Sequence, residues 1–229
     1  MYAAWGGALG ERLREVQLHE RLASAGVRRL QLNLDDADVA PAMRLATGPE
    51  HIGAIITAWV DGDSSTDARA DAGVTESLVG ATDRLTGWEV DERLPIPPPE
   101  SPHGERMDAL ANVAVLKKPI ELTRQEWLHR WLVDHTPIAI ETQATFGYVQ
   151  NIVTRPVTAH QPRRVDALVE ELFPSEGMVD MHAFYGSGGD DAELHDRLTR
   201  LMASVARLGF DHDIDLVPGS RYVFGLDDQ

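Results

Sequence analysis

The chain has 229 residues, a formal charge of −16 at pH 7 and no cysteine. The missing thiols exclude disulfide frameworks, thiolate metal sites and cysteine nucleophiles. The acidity is spread over both halves, −9 across residues 1–109 and −7 across 110–229, with no lysine- or arginine-rich stripe, so nucleic acid is not an expected partner.

No apolar run reaches the ~18 residues that a membrane span needs, so no membrane partner is expected. The start Tyr2-Ala3-Ala4-Trp5-Gly6-Gly7 lacks the basic and apolar segments of a secretory signal. The plain reading is a soluble cytoplasmic protein, long enough for one large domain or two small ones.

In chain order, residues 2–7 read as a short strand. Glu11 to Ala25 has helical spacing through Leu13, Val16 and Leu22, and Gly26 stops it. Val27–Leu34 alternates at Leu30, Leu32 and Leu34 like a half-buried strand. Asp35 to Leu45 is expected to add a short helix. Ile52–Val60 reads as a strand, Asp67 to Arg84 as a helix and Gly87–Leu94 as an alternating strand. A stretch with prolines at 95, 97, 98, 99 and 102 cannot continue a helix or a central strand and reads as a connector.

After it, Leu110–Lys117 is a strand and Leu122–Pro137 an amphipathic helix. Thr145–Val153 and Arg164–Phe173 are strands. Met178–Tyr185 fits helix or strand and is taken as helix, because a third strand has already been placed. Glu193–Arg207 is a helix with Leu194, Leu198, Leu201, Met202 and Val205 on one face, and Arg221–Gly225 is the last strand.

Each half thus has the order β-α-β-β-α-β, and the expected fold is α+β. Residues 1–94 and 110–229 form tandem ferredoxin-like halves joined by a linker at 95–109. Two antiparallel sheets facing each other would enclose a barrel-like interior, the expected ligand site. The barrel could form within one chain as a monomer or between two chains as a homodimer.

The helix at 122–137 carries the most chemistry. Thr123 and Glu126 form a capping box at its start, and Pro137 is expected to end it. Leu128, Trp131, Leu132 and His135 share one face, whereas His129 falls on the other. His135 reads either as a histidine satisfied by the backbone and favoured by the helix dipole, or as a general acid or base. On the following strand, alternation puts Phe146, Tyr148, Gln150 and Ile152 on one face, with Gly147, Val149 and Asn151 on the other. Asp166 and Glu170 share a face with Leu168 and Leu172, which reads as a pocket or as a solvated sheet edge.

The sequence Trp127 to Ala139, with Trp131, His135 and Pro137, followed by Tyr148 and Asn151, resembles the EthD-domain family. The resemblance spans about residues 112–226, and Ala167 stands where that family has glycine after Asp166. It implies a dimeric α/β-barrel fold and cofactor-independent chemistry of decarboxylase, cyclase or lyase type, without metal. The substrate class it implies is a small hydrophobic aromatic or carbonyl molecule. On this reading His135 handles a proton, Tyr148 or Asn151 orients the substrate and Glu170 assists. His135, Tyr148 and Glu170 are thus the candidate catalytic residues, and Trp131, Asn151 and Asp166 the candidate substrate-binding residues. The competing reading is a non-catalytic binding or structural protein. Asp211, His212, Asp213 and Asp215 are metal-friendly residue types but read as a solvated acidic loop.

Overall fold

A computed structural model describes residues 1–60, 67–210 and 213–226. Its strands are β1 (Tyr2–Trp5), β2 (Val27–Leu34), β3 (Ala54–Val60), β4 (Arg84–Ile96), β5 (Leu110–Leu116), β6 (Gly147–Pro156), β7 (Ala167–Phe173) and β8 (Asp215–Gly225). They close one barrel in the order β1-β3-β2-β8-β5-β7-β6-β4, with every neighbouring pair antiparallel. The first four strands are contiguous around the wall as β4-β1-β3-β2 and the last four as β8-β5-β7-β6. The seams are β2–β8 and β4–β6. Closure within one chain leaves none of the described strands as a free sheet edge.

Helices cover the outer wall. The expected single helix at 11–25 is instead α1 (Leu9–Arg12) and α2 (Val16–Ser24). The first turn is held separately, because Arg12 bonds to the Gly7 carbonyl and, at 3.0 Å, to Asp83. These helices and α3 (Asp67–Val79) cover Leu30, Leu32 and Leu34, which pack with Leu13, Leu18 and Leu22. A second outer core joins Trp127, Trp131, Tyr148, Ile152, Val169 and Leu201. The third apolar cluster draws on strand residues from both halves, including Ala3, Ile55, Trp88, Val113, Leu168 and Val217, and fills the barrel interior. Period-two alternation therefore sends one set of each strand's side chains to the helices and the other set inward.

Pro137 does not end the helix. α4 (Arg124–His129) runs into a π-helical segment, Arg130–His135, and then α5 (Thr136–Thr142). Pro137 has no N–H to give to the preceding turn, and the widened segment absorbs that defect. The Thr136 N–H reaches back five residues to the Trp131 carbonyl, to which the Thr136 hydroxyl also donates at 2.9 Å. His135 is thus mid-helix, and the negative helix end expected beside it lies at Thr142. The capping box at Thr123 and Glu126 is present as expected.

Three other differences bear on the site. β4 continues through Pro95 to Ile96, with a register shift between Arg93 and Ile96 where the proline has no N–H to offer. The following chain is no free linker, since His103 and Arg106 bridge to Val223 and Tyr222 of β8. The helix expected at 35–45 is a single 3-10 turn, Ala37–Val39. Residues 178–185 are helical in part, as α6 (Met181–Tyr185), and α7 (Asp191–Leu208) is capped by Asp190.

Gly87 permits the closest approach in the β1–β4 ladder, since a Cβ there would lie 2.3 Å from the Tyr2 ring. Gly87→Val is expected to lower stability by about 1–3 kcal/mol through overpacking. A thermal melt unchanged from wild type would contradict that contact.

Candidate functional site in the barrel interior

Three strands place buried polar side chains at one level of the interior. Gln31 and Asn33 alternate with the outward leucines of β2, Glu170 follows Leu168 on β7, and Arg221 comes from β8. Glu170 Oε1 accepts from Gln31 Nε2 at 2.9 Å, Asn33 Nδ2 at 2.9 Å and Arg221 Nε at 3.1 Å. Arg221 Nη2 donates to Gln31 Oε1 at 2.8 Å, and Nη1 to Ser101 at 3.3 Å. Arg221 is 1% exposed and Glu170 4%, so this is a buried ion pair stabilised by amides. Such a pair holds because each charge is matched and hydrogen-bonded.

A cavity of about 350 Å³ opens over this cluster. Val149, Asn151 and Val223 line it with Glu170 and Arg221, and the Pro97–Ser101 segment passes across it. At its rim Arg29 stacks 4.2 Å over the Trp59 ring. Burial lowers the Arg29 pKa, and the neighbouring Arg221 charge adds to the effect. Asn151 is buried, and its Oδ1 has no hydrogen-bond partner among the described residues. Val149 is opposite Glu170 and Asn151 opposite Leu168, so Asn151 and Glu170 are diagonal neighbours on the interior face.

The six residues singled out from the sequence separate into three places. Asn151 and Glu170 meet in the cavity. His135, Trp131 and Tyr148 lie together on the opposite, helix-covered face of the same sheet. There His135 Nδ1 is 2.9 Å from Ser204 Oγ on α7, and burial, with Arg207 adding, lowers its pKa to about 4. Burial pushes the Tyr148 phenol well above its usual value, while the neighbouring Gln150 and Thr136 side chains oppose the shift. Gln150 donates to Thr136 at 2.8 Å. A recess of about 100 Å³ beside this helix is walled by Arg130, Asp134, Ser204, Arg207 and Leu208, and His135 is not among its walls. Asp166 stands apart, accepting from the Lys118 N–H at 2.8 Å and from Arg164 at 2.7 Å.

Sequence reading missed Gln31, Asn33 and Arg221, although polar residues between Leu30, Leu32 and Leu34 were the available signal. It also missed Glu171, on the outer face opposite Asn112 and Tyr148, whose carboxyl burial raises to about 7. The Gln143 amide, turned so that its nitrogen donates, is 3.2 Å from Glu171 Oε1. Among the described residues no group of three or more His, Asp and Glu side chains is placed to hold a metal ion. Asp211 and His212 of the acidic run lie outside the described residues. No described helix is long and apolar enough to cross a membrane.

The arrangement is a buried carboxylate–guanidinium pair and, in the wall of a barrel cavity, a buried carboxamide oxygen without a partner among the described residues, a site class suited to a small molecule. No family model matches the chain, and no curated protein does. A crystal structure described as a "putative monooxygenase", from Lactobacillus acidophilus NCFM, aligns at 8% identity over 98% of this chain and 94% of that one, with a TM-score of 0.45.

Proposed function

We propose that the chain is a cofactor-independent enzyme that moves a proton on a hydrophobic aromatic or carbonyl-bearing small molecule bound in the Glu170 cavity. The observation that carries this reading is Asn151, buried, without a partner for Oδ1 among the described residues, and diagonal to Glu170 in the cavity wall. Every hydrogen bond donated to Glu170 by the described residues falls on Oε1, which leaves Oε2 for a substrate proton. In the step proposed, Oε2 takes a proton from the carbon beside a carbonyl. The C–H electron pair forms a C=C bond as the carbonyl becomes an enolate oxygen, which accepts from the Arg221 guanidinium or from Asn151 Nδ2, Asn151 Oδ1 being itself an acceptor. His135, Tyr148 and Trp131 are assigned positioning roles, tying the helix to the sheet.

We also propose that the two halves are tandem ferredoxin-like units and that the second is a diverged relative of the EthD domain. The contiguous orders β4-β1-β3-β2 and β8-β5-β7-β6 support the first part, and the Trp131, His135, Tyr148 and Asn151 pattern supports the second. A cytoplasmic location belongs to the same proposal.

The test is hydrogen–deuterium exchange at the α-carbon of 2-tetralone in D₂O, followed by mass spectrometry. Wild-type protein is expected to accelerate exchange by about 10²-fold or more over buffer, the range of general acid–base catalysis. Glu170→Gln is expected to abolish the acceleration and Asn151→Ala to weaken it. A second reading, a non-catalytic binding protein, draws on the three bonds that already hold Glu170. Binding of 2-tetralone that Asn151→Ala weakens, with exchange at the buffer rate, would favour it and remove the enzymatic proposal.

A further inference from the structure

We propose that the opposite end of the barrel is a second ligand site, built for a neutral, planar, mainly apolar molecule carrying one carbonyl oxygen. A separate cavity of about 350 Å³ opens there and shares no lining residue with the Glu170 cavity. The strand directions put the two at opposite mouths. Arg84, Thr86 and Trp88 at the start of β4 line this one, whereas Glu92 and Leu94 near its end line the other. Between them the barrel is filled by Ile55, Val113, Leu168 and Val217.

The walls define the ligand. Trp5, Ile52, Trp88, Val115 and Val165 supply flat aromatic and branched aliphatic surface. Two polar atoms of these lining residues, Thr86 Oγ1 and Trp5 Nε1, are buried and have no partner among the described residues. Thr86 is 1% exposed. In the β1–β4 ladder Ala3 is opposite Thr86 and Trp5 opposite Arg84, so Trp5 and Thr86 are diagonal neighbours on the interior face. An indole N–H can only donate, so the ligand atom between them must accept, and the Thr86 hydroxyl can donate to the same atom. A carbonyl oxygen, with two lone pairs, satisfies both.

The charges at the rim argue against an anion or a cation. Arg84 pairs with Glu50 at 3.1 Å and lies 4.1 Å over the Trp5 ring. Arg163 pairs with Asp215, which also accepts from the Thr47 N–H at 2.6 Å. Asp213 pairs with Lys117. Among the described residues no rim charge is left unpaired to select a charged ligand, so selection falls to shape and to the two buried donors. This site is independent of the proton chemistry proposed for Glu170.

The test uses acetophenone as the probe, with ethylbenzene, which lacks the oxygen, and benzoate, which carries a charge, as controls. Binding is read from the Trp5 indole N–H resonance of ¹⁵N-labelled protein, assigned by its loss in Trp5→Phe. Acetophenone is expected to shift that resonance saturably, and both controls to bind at least about fivefold more weakly, as loss of a buried hydrogen bond implies. Thr86→Val, which keeps the side-chain shape, is expected to weaken acetophenone about five- to tenfold. Asn151→Ala, which alters the Glu170 cavity, is expected to leave the acetophenone shift of the Trp5 resonance in place, which separates the two sites. The proposal is overturned if no saturable shift occurs or if ethylbenzene matches acetophenone on the wild-type protein. It is also overturned if Asn151→Ala, rather than Thr86→Val, removes the effect. The wild-type comparison with ethylbenzene decides the matter even if Thr86→Val fails to fold.

Discussion

Glu170→Ala is expected to cost roughly 3–5 kcal/mol of folding stability, because it leaves the Arg221 guanidinium buried without its counter-charge. The loss also removes the acceptor shared by the Gln31 and Asn33 amides, although the Gln31 to Asn33 bond at 3.1 Å persists. Glu170→Gln keeps an accepting oxygen and removes only the charge, so it should fall between wild type and Glu170→Ala. The double variant Glu170→Leu with Arg221→Met removes both charges and fills similar volume. It is expected to recover most of the loss, since the desolvation of a buried pair offsets much of its attraction. Urea unfolding measures all of these, with the midpoint moving and the slope held. If Glu170→Ala costs less than about 1 kcal/mol, the cluster is solvated rather than buried, and the cavity loses its proposed floor. The same pair matters for function, because a carboxylate fixed by three donors is pre-organised and need not reorient during a reaction.

What the sequence made legible was the face of each element, and what it hid was the side of the sheet that each face meets. The alternation at 146–152 sends Tyr148 and Asn151 opposite ways, and in the barrel Tyr148 packs under the helices while Asn151 lines the cavity. The helical period likewise puts His135 on a buried face, and it is 7% exposed. Yet that face covers the outside of the barrel, so burial does not bring His135 to the interior. Only the pairing of β2 with β8, and of β8 with β5 and β7 beyond it, brings Gln31 and Asn33 to Glu170. Contacts between residues more than a hundred positions apart leave no periodic trace in a sequence. The last strand is expected at Arg221–Gly225, but β8 starts at Asp215 and runs through Pro218-Gly219. Pro218 sits opposite Asn112, and Gly219 lets the Asn33 backbone and Cβ approach to a position 3.0 Å from where a Cβ would be. Pro137 likewise does not end its helix, because a π turn re-routes the hydrogen bond that a proline breaks.

Opposite pH signatures are expected from two residues of the helix-covered face. The Glu171 carboxyl rises from 4.5 to about 7 on folding, through burial. Between those values the folded chain holds a proton that the unfolded chain has released, so stability falls as pH rises through the window and is level above it. Glu171→Gln removes that fall. Its stability relative to wild type should climb from near zero below about pH 4.5 to a plateau above about pH 7. We expect the plateau at roughly 1–2 kcal/mol, discounted because Glu171 is partly exposed. His135 moves the other way, from 6.5 to about 4, with burial as the larger cause and Arg207 the smaller. Here the unfolded chain takes up a proton that the folded chain refuses. Stability from the neutral imidazole is complete above about pH 6.5 and is lost as pH falls towards about 4. His135→Gln should therefore be destabilising near neutrality, where the 2.9 Å contact with Ser204 is disturbed, and progressively less so as pH falls. Within the overlap, from 4.5 to 6.5, the two slopes oppose each other and partly cancel in the wild type. Each single variant unmasks the slope of the other residue, so the two difference curves against pH should run in opposite directions. Parallel curves would mean that neither group is buried enough to shift. That would leave both histidine and carboxylate free to titrate normally, and the positioning role given to His135 would lose its physical basis.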